Sequence, residues 1–99
     1  MTDEASLGEI ATRGVRAEKF LENELLTEAF TALEASYISA WRETSIDNSA
    51  GREKLFLAIN IVGKVRDHLA AIAANGKLAQ AELKQLAQTA ERRRRFGIL

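Results

Sequence analysis

Apolar residues recur at steps of three and four along most of this 99-residue chain, and no proline interrupts them. Such steps place side chains on one stripe of an α-helix. Proline breaks helix interiors, whereas a β-rich domain of this size would use it in several turns. The commonest residues are strong helix formers, among them Ala, Leu and Glu. The sequence therefore predicts an all-α protein.

Two long helices are predicted, near residues 15–44 and 49–75. The first apolar ladder begins at Leu21 and ends at Trp41, and the second runs from Leu55 to Ile72. Between them lie residues that hydrogen-bond their own backbone, and Asp47, Asn48 and Ser49 are each good N-cap candidates. Because the connection is short, the two helices should form an antiparallel hairpin.

Asn75-Gly76 predicts the end of the second helix, since both residues accept the left-handed conformation of a C-terminal cap. A shorter third C-terminal helix should follow. Gly8 and Gly14 weaken any earlier helix, so residues 1–14 are predicted to be a flexible N-terminal segment. The organisation is then a helical domain over 15–91 with a basic and apolar C-terminal tail over 92–99.

Each of two paired helices buries only one apolar stripe. A chain this short must bury more apolar surface than that to form a stable core. We expect a core that contains Phe30, Leu33, Tyr37, Leu55, Ile59, Val62 and Leu69. Leu57 and Ile61 broaden the apolar face of the second helix, which indicates contacts on more than one side. Tyr37 and Trp41 fit the core, or alternatively a binding anchor. Self-association into a homo-oligomer should complete the core.

Charge is divided between the two halves of the chain. Residues 1–50 hold ten Asp/Glu against four Lys/Arg, a net of −6, and residues 51–99 hold four against ten, a net of +6. This division indicates complementary pairing within or between molecules, such as the acidic half of one copy meeting the basic half of another. No apolar run approaches the roughly 18–20 residues of a membrane span, and the N-terminus is acidic. We therefore expect a cytoplasmic protein without a membrane partner.

The residues that could carry chemistry are few. Cysteine is absent, which excludes disulfides and thiolate metal sites. His68 is the only histidine, and it has no partner at the spacing of a metal site or a catalytic pair. Glu18, Glu22, Glu24 and Glu28 lack the Glu-x-x-His pairs of a di-iron bundle, so a solvated acidic face is expected. We predict no catalytic, metal-binding or cofactor-binding residue, and no enzyme.

The C-terminus carries the strongest candidate site. Its partner-binding residues are predicted to be Arg92, Arg93, Arg94, Arg95, Phe96, Ile98 and Leu99. Basic residues followed by apolar ones fit a peptide that docks onto a neighbouring subunit or another protein. Two alternatives are contact with nucleic-acid phosphates and a solvated helix end, which positive charge would stabilise.

Several short strings resemble small helical proteins encoded by tailed bacteriophages and prophages. They are Ala40-Trp41-Arg42-Glu43-Thr44, Arg52-Glu53-Lys54-Leu55, Val65-Arg66-Asp67-His68-Leu69 and Gly76-Lys77-Leu78-Ala79. The resemblance implies a phage-derived protein of head assembly or the virion, located in the host cytoplasm or the virion, with other phage structural proteins as partners. The alternative is a DNA-binding packaging component resembling a small terminase subunit. Residues 92–99 lie outside the shared pattern.

Overall fold

The computed structural model describes residues 3–95, which form three α-helices and no β-strand. These are α1 (Glu4–Glu22), α2 (Glu24–Glu43) and α3 (Ser49–Arg95). The predicted all-α class is confirmed. The chain divides into two compact units, a hairpin unit of Lys19–Ala70 and an end unit that combines Met1–Glu18 with Ala71–Leu99. Helix α3 contributes its first part to the hairpin unit and the rest to the end unit.

In the hairpin unit, α2 and the first part of α3 pack antiparallel. The end of α2 contacts the beginning of α3, where the Arg52 guanidinium lies 5.8 Å from the centre of the Trp41 ring. Earlier in α2, Glu34 contacts Arg66, which lies later in α3. Asn48 caps α3, since its side-chain oxygen accepts the Gly51 N–H at 3.1 Å. The predicted antiparallel hairpin is thus confirmed.

In the end unit, α1 packs against the second part of α3. Leu7, Ala11 and Ala79 form a buried cluster, and Leu83 packs against it. Small residues bring the two helix backbones together, because a Cβ atom placed on Gly14 would lie only 2.5 Å from the Gly76 Cα atom. This contact explains why α1 is stable here: its buried positions Leu7, Ala11, Gly14 and Ala17 recur at helical steps.

Two predicted helix boundaries differ from the structure at glycines. Gly76 does not cap a helix, since α3 continues through it to Arg95 and the expected third C-terminal helix is part of α3. Residues 4–14, predicted as a flexible segment, lie in α1. Both differences have the same physical reason. Gly14 and Gly76 face each other, and because they lack side chains the two helices can approach closely.

The third difference is a break at Asn23, where a single helix over 15–44 was expected. The Asn23 side-chain oxygen accepts the Leu26 N–H at 2.9 Å and so caps α2. The Thr27 hydroxyl donates to the Leu21 carbonyl at 3.2 Å, which satisfies a group that the end of α1 leaves free. The third helix therefore precedes the hairpin along the chain.

Burial in the hairpin unit is shallower than the sequence predicts. Val62 is buried, whereas Phe30, Tyr37, Leu55, Ile59 and Leu69 are only half-buried. Leu33 is 42% exposed, so its assignment to the core is wrong for the single chain, and Trp41 is also exposed. Among residues 3–95 no large side chain is fully buried. None of the helices over those residues combines the length and the apolar content that a bilayer span needs.

Candidate interaction surfaces

Helix α2 is apolar along its middle, and yet none of its residues is buried. From residue 29 to residue 41 the only charged side chain is Glu34. A helix that faces water on its outer side normally carries charged and polar residues there. The composition of α2 therefore suits a helix covered on more than one side.

The facing part of α3 has the same property. Residues 55–63 contain no charge, and Asn60 is their single side chain able to hydrogen-bond. Leu57, Ile61 and Val65 follow one another at steps of four and therefore form a stripe. Their exposed fractions are 52%, 59% and 45% respectively. A helix that is apolar all round is typical of a buried position.

The stripe on α3 lies on the same side of the hairpin as a stripe on α2. Glu34 and Arg66 contact each other on one side of the seam between the helices. Leu33 and Val65 each come one residue earlier, about 100° around their helix. Because antiparallel helices turn in opposite senses when viewed from one end, both side chains are displaced toward the same side of the hairpin, away from the Glu34–Arg66 pair, and both are exposed there.

We name this surface the hairpin face. Its α2 stripe is Ala29, Leu33, Ser36 and Ala40, at steps of four, three and four, and its α3 stripe is Leu57, Ile61 and Val65. No member carries a charge. Of the seven, six are exposed and Ala40 is half-buried. The sequence had indicated this surface only through the broad apolar face at Leu57 and Ile61.

The other side of the hairpin is held by arginines that bridge α2 and α3. The Arg66 Nη1 atom lies 3.5 Å from a Glu34 carboxylate oxygen, and the Arg66 guanidinium lies 5.5 Å from the centre of the Phe30 ring. Arg52 covers Trp41 in the same way nearer the turn. Arginine suits both tasks because its planar group stacks on rings and pairs with carboxylates. This side is therefore polar, unlike the hairpin face, and within it the Arg66 Nη2 atom is buried without a hydrogen-bond partner.

The predicted C-terminal site lies at the end of α3. Arg92–Arg95 continue the helix and are exposed, and the Arg94 guanidinium pairs with Glu91 at 2.7 Å. Lys84, Gln88, Arg92 and Arg95 are spaced so that they share one face of the helix, and together with Ala87 and Glu91 they line a shallow depression. Phe96, Ile98 and Leu99 lie outside the described residues. The structure therefore places Arg92 and Arg95, but not all four arginines, on one face of α3 with Lys84.

The polar candidates of the sequence do not converge. His68 is exposed on α3, and Glu18 pairs with Lys77 at 3.7 Å. Glu22 ends α1, while Glu24 and Glu28 lie in the first part of α2. Within residues 3–95 no three acidic, histidine or cysteine side chains come together as a metal site would require.

The end unit has an open groove between α1 and α3. Its walls include Leu7, Ile10 and Arg13 of α1 and Leu78 and Glu82 of α3. The groove is mostly apolar, with Arg13 and Glu82 among its charged residues. Leu78 is largely exposed beside it. The groove is open to solvent.

Comparison of the chain with protein-family models, with curated proteins and with solved structures finds no match.

Proposed function

We propose that this protein is a non-enzymatic helical assembly protein, which acts by binding other protein chains. The observation that carries the proposal is the hairpin face. Leu33 on α2 and Leu57 and Ile61 on α3 are exposed to water although the two helices pack against each other. Covering a large apolar side chain is worth about 1.5–3 kcal/mol, so this surface favours association.

The basic end of α3 is the second contact in the proposal. Arg92–Arg95 project from a continuous helix into solvent. We propose that they dock on an acidic partner surface together with Phe96, Ile98 and Leu99. The assembly itself would be phage-derived, in head assembly or the virion, as the resemblance of residues 40–44, 52–55, 65–69 and 76–79 implies.

Site-specific photo-cross-linking in cells that make the protein tests the proposal. A benzophenone amino acid at position 61 should give discrete cross-linked protein products, whereas the same group at position 46 should not. Ile46 is a suitable control because it is 83% exposed but lies in the turn before α3, outside the hairpin face. Equal background products at both positions would contradict the proposal.

A second pair of variants tests the tail. Replacing Phe96, Ile98 and Leu99 with Ser should abolish cross-linking from position 88 even though all four arginines remain, because apolar burial of about 1.5–3 kcal/mol per side chain is lost. Replacing Arg92–Arg95 with Gln is the matched variant. If only the glutamine variant fails, docking is electrostatic rather than apolar.

The alternative function is a DNA-binding packaging component, and the helical face shared by Lys84, Arg92 and Arg95 favours it. Cations along one helix face can follow a phosphate backbone. Titration with a short DNA duplex tests it: the Arg92–Arg95 to Gln variant should lose binding, while Lys54→Gln, on the hairpin unit, should keep it. Absence of duplex binding by the wild-type protein at low salt would exclude the alternative.

A further inference from the structure

We propose that the partner of the hairpin face is a second copy of this chain, and that two hairpin units form a four-helix bundle. The inference rests on the proposed function, since it names the chain that covers the exposed surface. Three observations support it: the large exposed surface of the single chain, the complementary side-chain sizes of the two stripes, and the absence of charge on the hairpin face.

The exposed area is that of an incomplete fold. The chain exposes 7925 Å². For a monomer of 10.9 kDa, the usual scaling of accessible surface with mass gives about 5,600 Å². The excess is on the order of 2,300 Å² for each chain, or about 4,600 Å² for two chains, and obligate homodimers bury about 2,000–5,000 Å² in total. Part of this excess is the exposed hairpin face, which a second copy of the hairpin can cover.

The two stripes of the hairpin face are complementary in size. The α3 stripe is bulky, with Leu57, Ile61 and Val65, and the α2 stripe is mostly small, with Ala29, Ser36 and Ala40 around one leucine. A two-fold axis along the bundle would place the α3 stripe of each copy on the α2 stripe of the other. Bulky side chains then meet small ones twice, as a self-complementary interface requires.

The arrangement also accounts for Leu33. The apolar ladder of α2 marks Leu33 as a core residue, and the single chain leaves it 42% exposed. In the proposed dimer it lies between its own hairpin and the α3 stripe of the partner. Helices in such bundles cross about 18–20° from antiparallel, and every helix is covered on two sides. This is the environment that the middle of α2, with Glu34 as its single charge, requires.

Light scattering on the purified full chain tests the inference. The wild-type protein at about 10–100 µM, a range where a stable homodimer with nanomolar to micromolar Kd is populated, should have twice the monomer mass of 10.9 kDa. Ile61→Lys should weaken dimerisation at least a hundredfold, because a lysine would be buried in the interface. Ile46→Lys is the matched control and should leave the mass unchanged.

A second measurement guards against a variant that fails to fold. For the wild-type protein, Tm should rise with protein concentration, since association stabilises the folded state by mass action. A monomeric mass together with a constant Tm would overturn the inference. In that case cross-links from position 61 to other proteins would still support the proposed function, whereas their absence as well would remove both.

Discussion

At the scale of single residues, glycine has two opposite roles in this chain. Gly14 and Gly76 contact each other through their backbones, and an added Cβ on either would lie 2.5 Å from the Cα atom of the other. Gly8 and Gly63 are also helical, but beyond their own helix no atom lies within 4 Å of an added Cβ. We expect Gly14→Ala and Gly76→Ala to lower the free energy of unfolding by about 1–3 kcal/mol, because the helices must separate.

The matched controls should behave in the opposite way. Gly8→Ala and Gly63→Ala should raise the free energy of unfolding by about 0.5–1 kcal/mol, because alanine costs less backbone entropy in a helix. Urea unfolding followed by circular dichroism measures all four variants. Stabilisation by all four alanines would contradict the close crossing of α1 and α3.

Asp3 gives a prediction for pH. Its carboxylate accepts the Ser6 N–H at 2.7 Å, and this backbone hydrogen bond, helped by the Ser6 side chain, lowers the pKa of Asp3. A lowered pKa in the folded state stabilises α1 above the ordinary pKa, and the effect disappears as pH falls through the lowered value. We expect the first turn of α1 to loosen below about pH 4. Amide chemical shifts of Ser6 during an NMR titration should report it.

The Asp3 side chain caps the first turn of α1, and Asp3→Asn keeps a capping side chain but removes its charge. Asparagine is an equally good N-cap but does not titrate, so the Ser6 amide shift should stay constant through the same pH range. If the Ser6 amide shift of this variant still changes at low pH, another group causes the change and the assignment to Asp3 is wrong.

At the scale of helices, local signals located the hairpin but not every boundary. The α2–α3 turn was predictable because Asn48 and its neighbours compete with a helix over a short stretch. Asn75-Gly76 looks locally like a helix end, and only its partner Gly14, far away in sequence, shows a crossing instead. Helix α1 was missed because its buried positions are mostly small residues, which a search for large apolar side chains passes over.

At the scale of helices, the N-cap residue Asn23 gives a testable prediction. Its side chain caps α2, so Asn23→Ala should cost about 0.5–2 kcal/mol of stability. Asn60→Ala is the matched control, because Asn60 lies inside α3 and donates only to the Phe56 carbonyl. That change should be neutral or mildly stabilising, since alanine is the better helix former. Equal effects in thermal unfolding would show that the break at Asn23 is not needed, and that a continuous helix over 15–44 is as stable.

At the scale of the whole molecule, the candidate sites divide between what sequence can and cannot show. The basic end is visible in sequence because four arginines are consecutive. The α2 stripe of the hairpin face is not, because it consists of Ala29, Ser36 and Ala40 with only one leucine. Whether such a stripe is exposed depends on which side of α2 meets α3, and that is set by packing between residues far apart in sequence.

Contacts of the hairpin face should be insensitive to salt, whereas contacts of the basic end should weaken as salt rises. The division of charge between the two halves of the chain predicts association by ion pairing, whereas the hairpin face carries no charge. We therefore expect the dimer mass to stay constant when salt rises about tenfold, because exposed charges rather than apolar contacts are screened. In the alternative function, binding of a DNA duplex by Arg92–Arg95 should fall about 10³–10⁴-fold over the same change, since four phosphate contacts give a slope near −3.6. Dissociation of the dimer at high salt would identify the acidic and basic halves, and not the hairpin face, as the source of association.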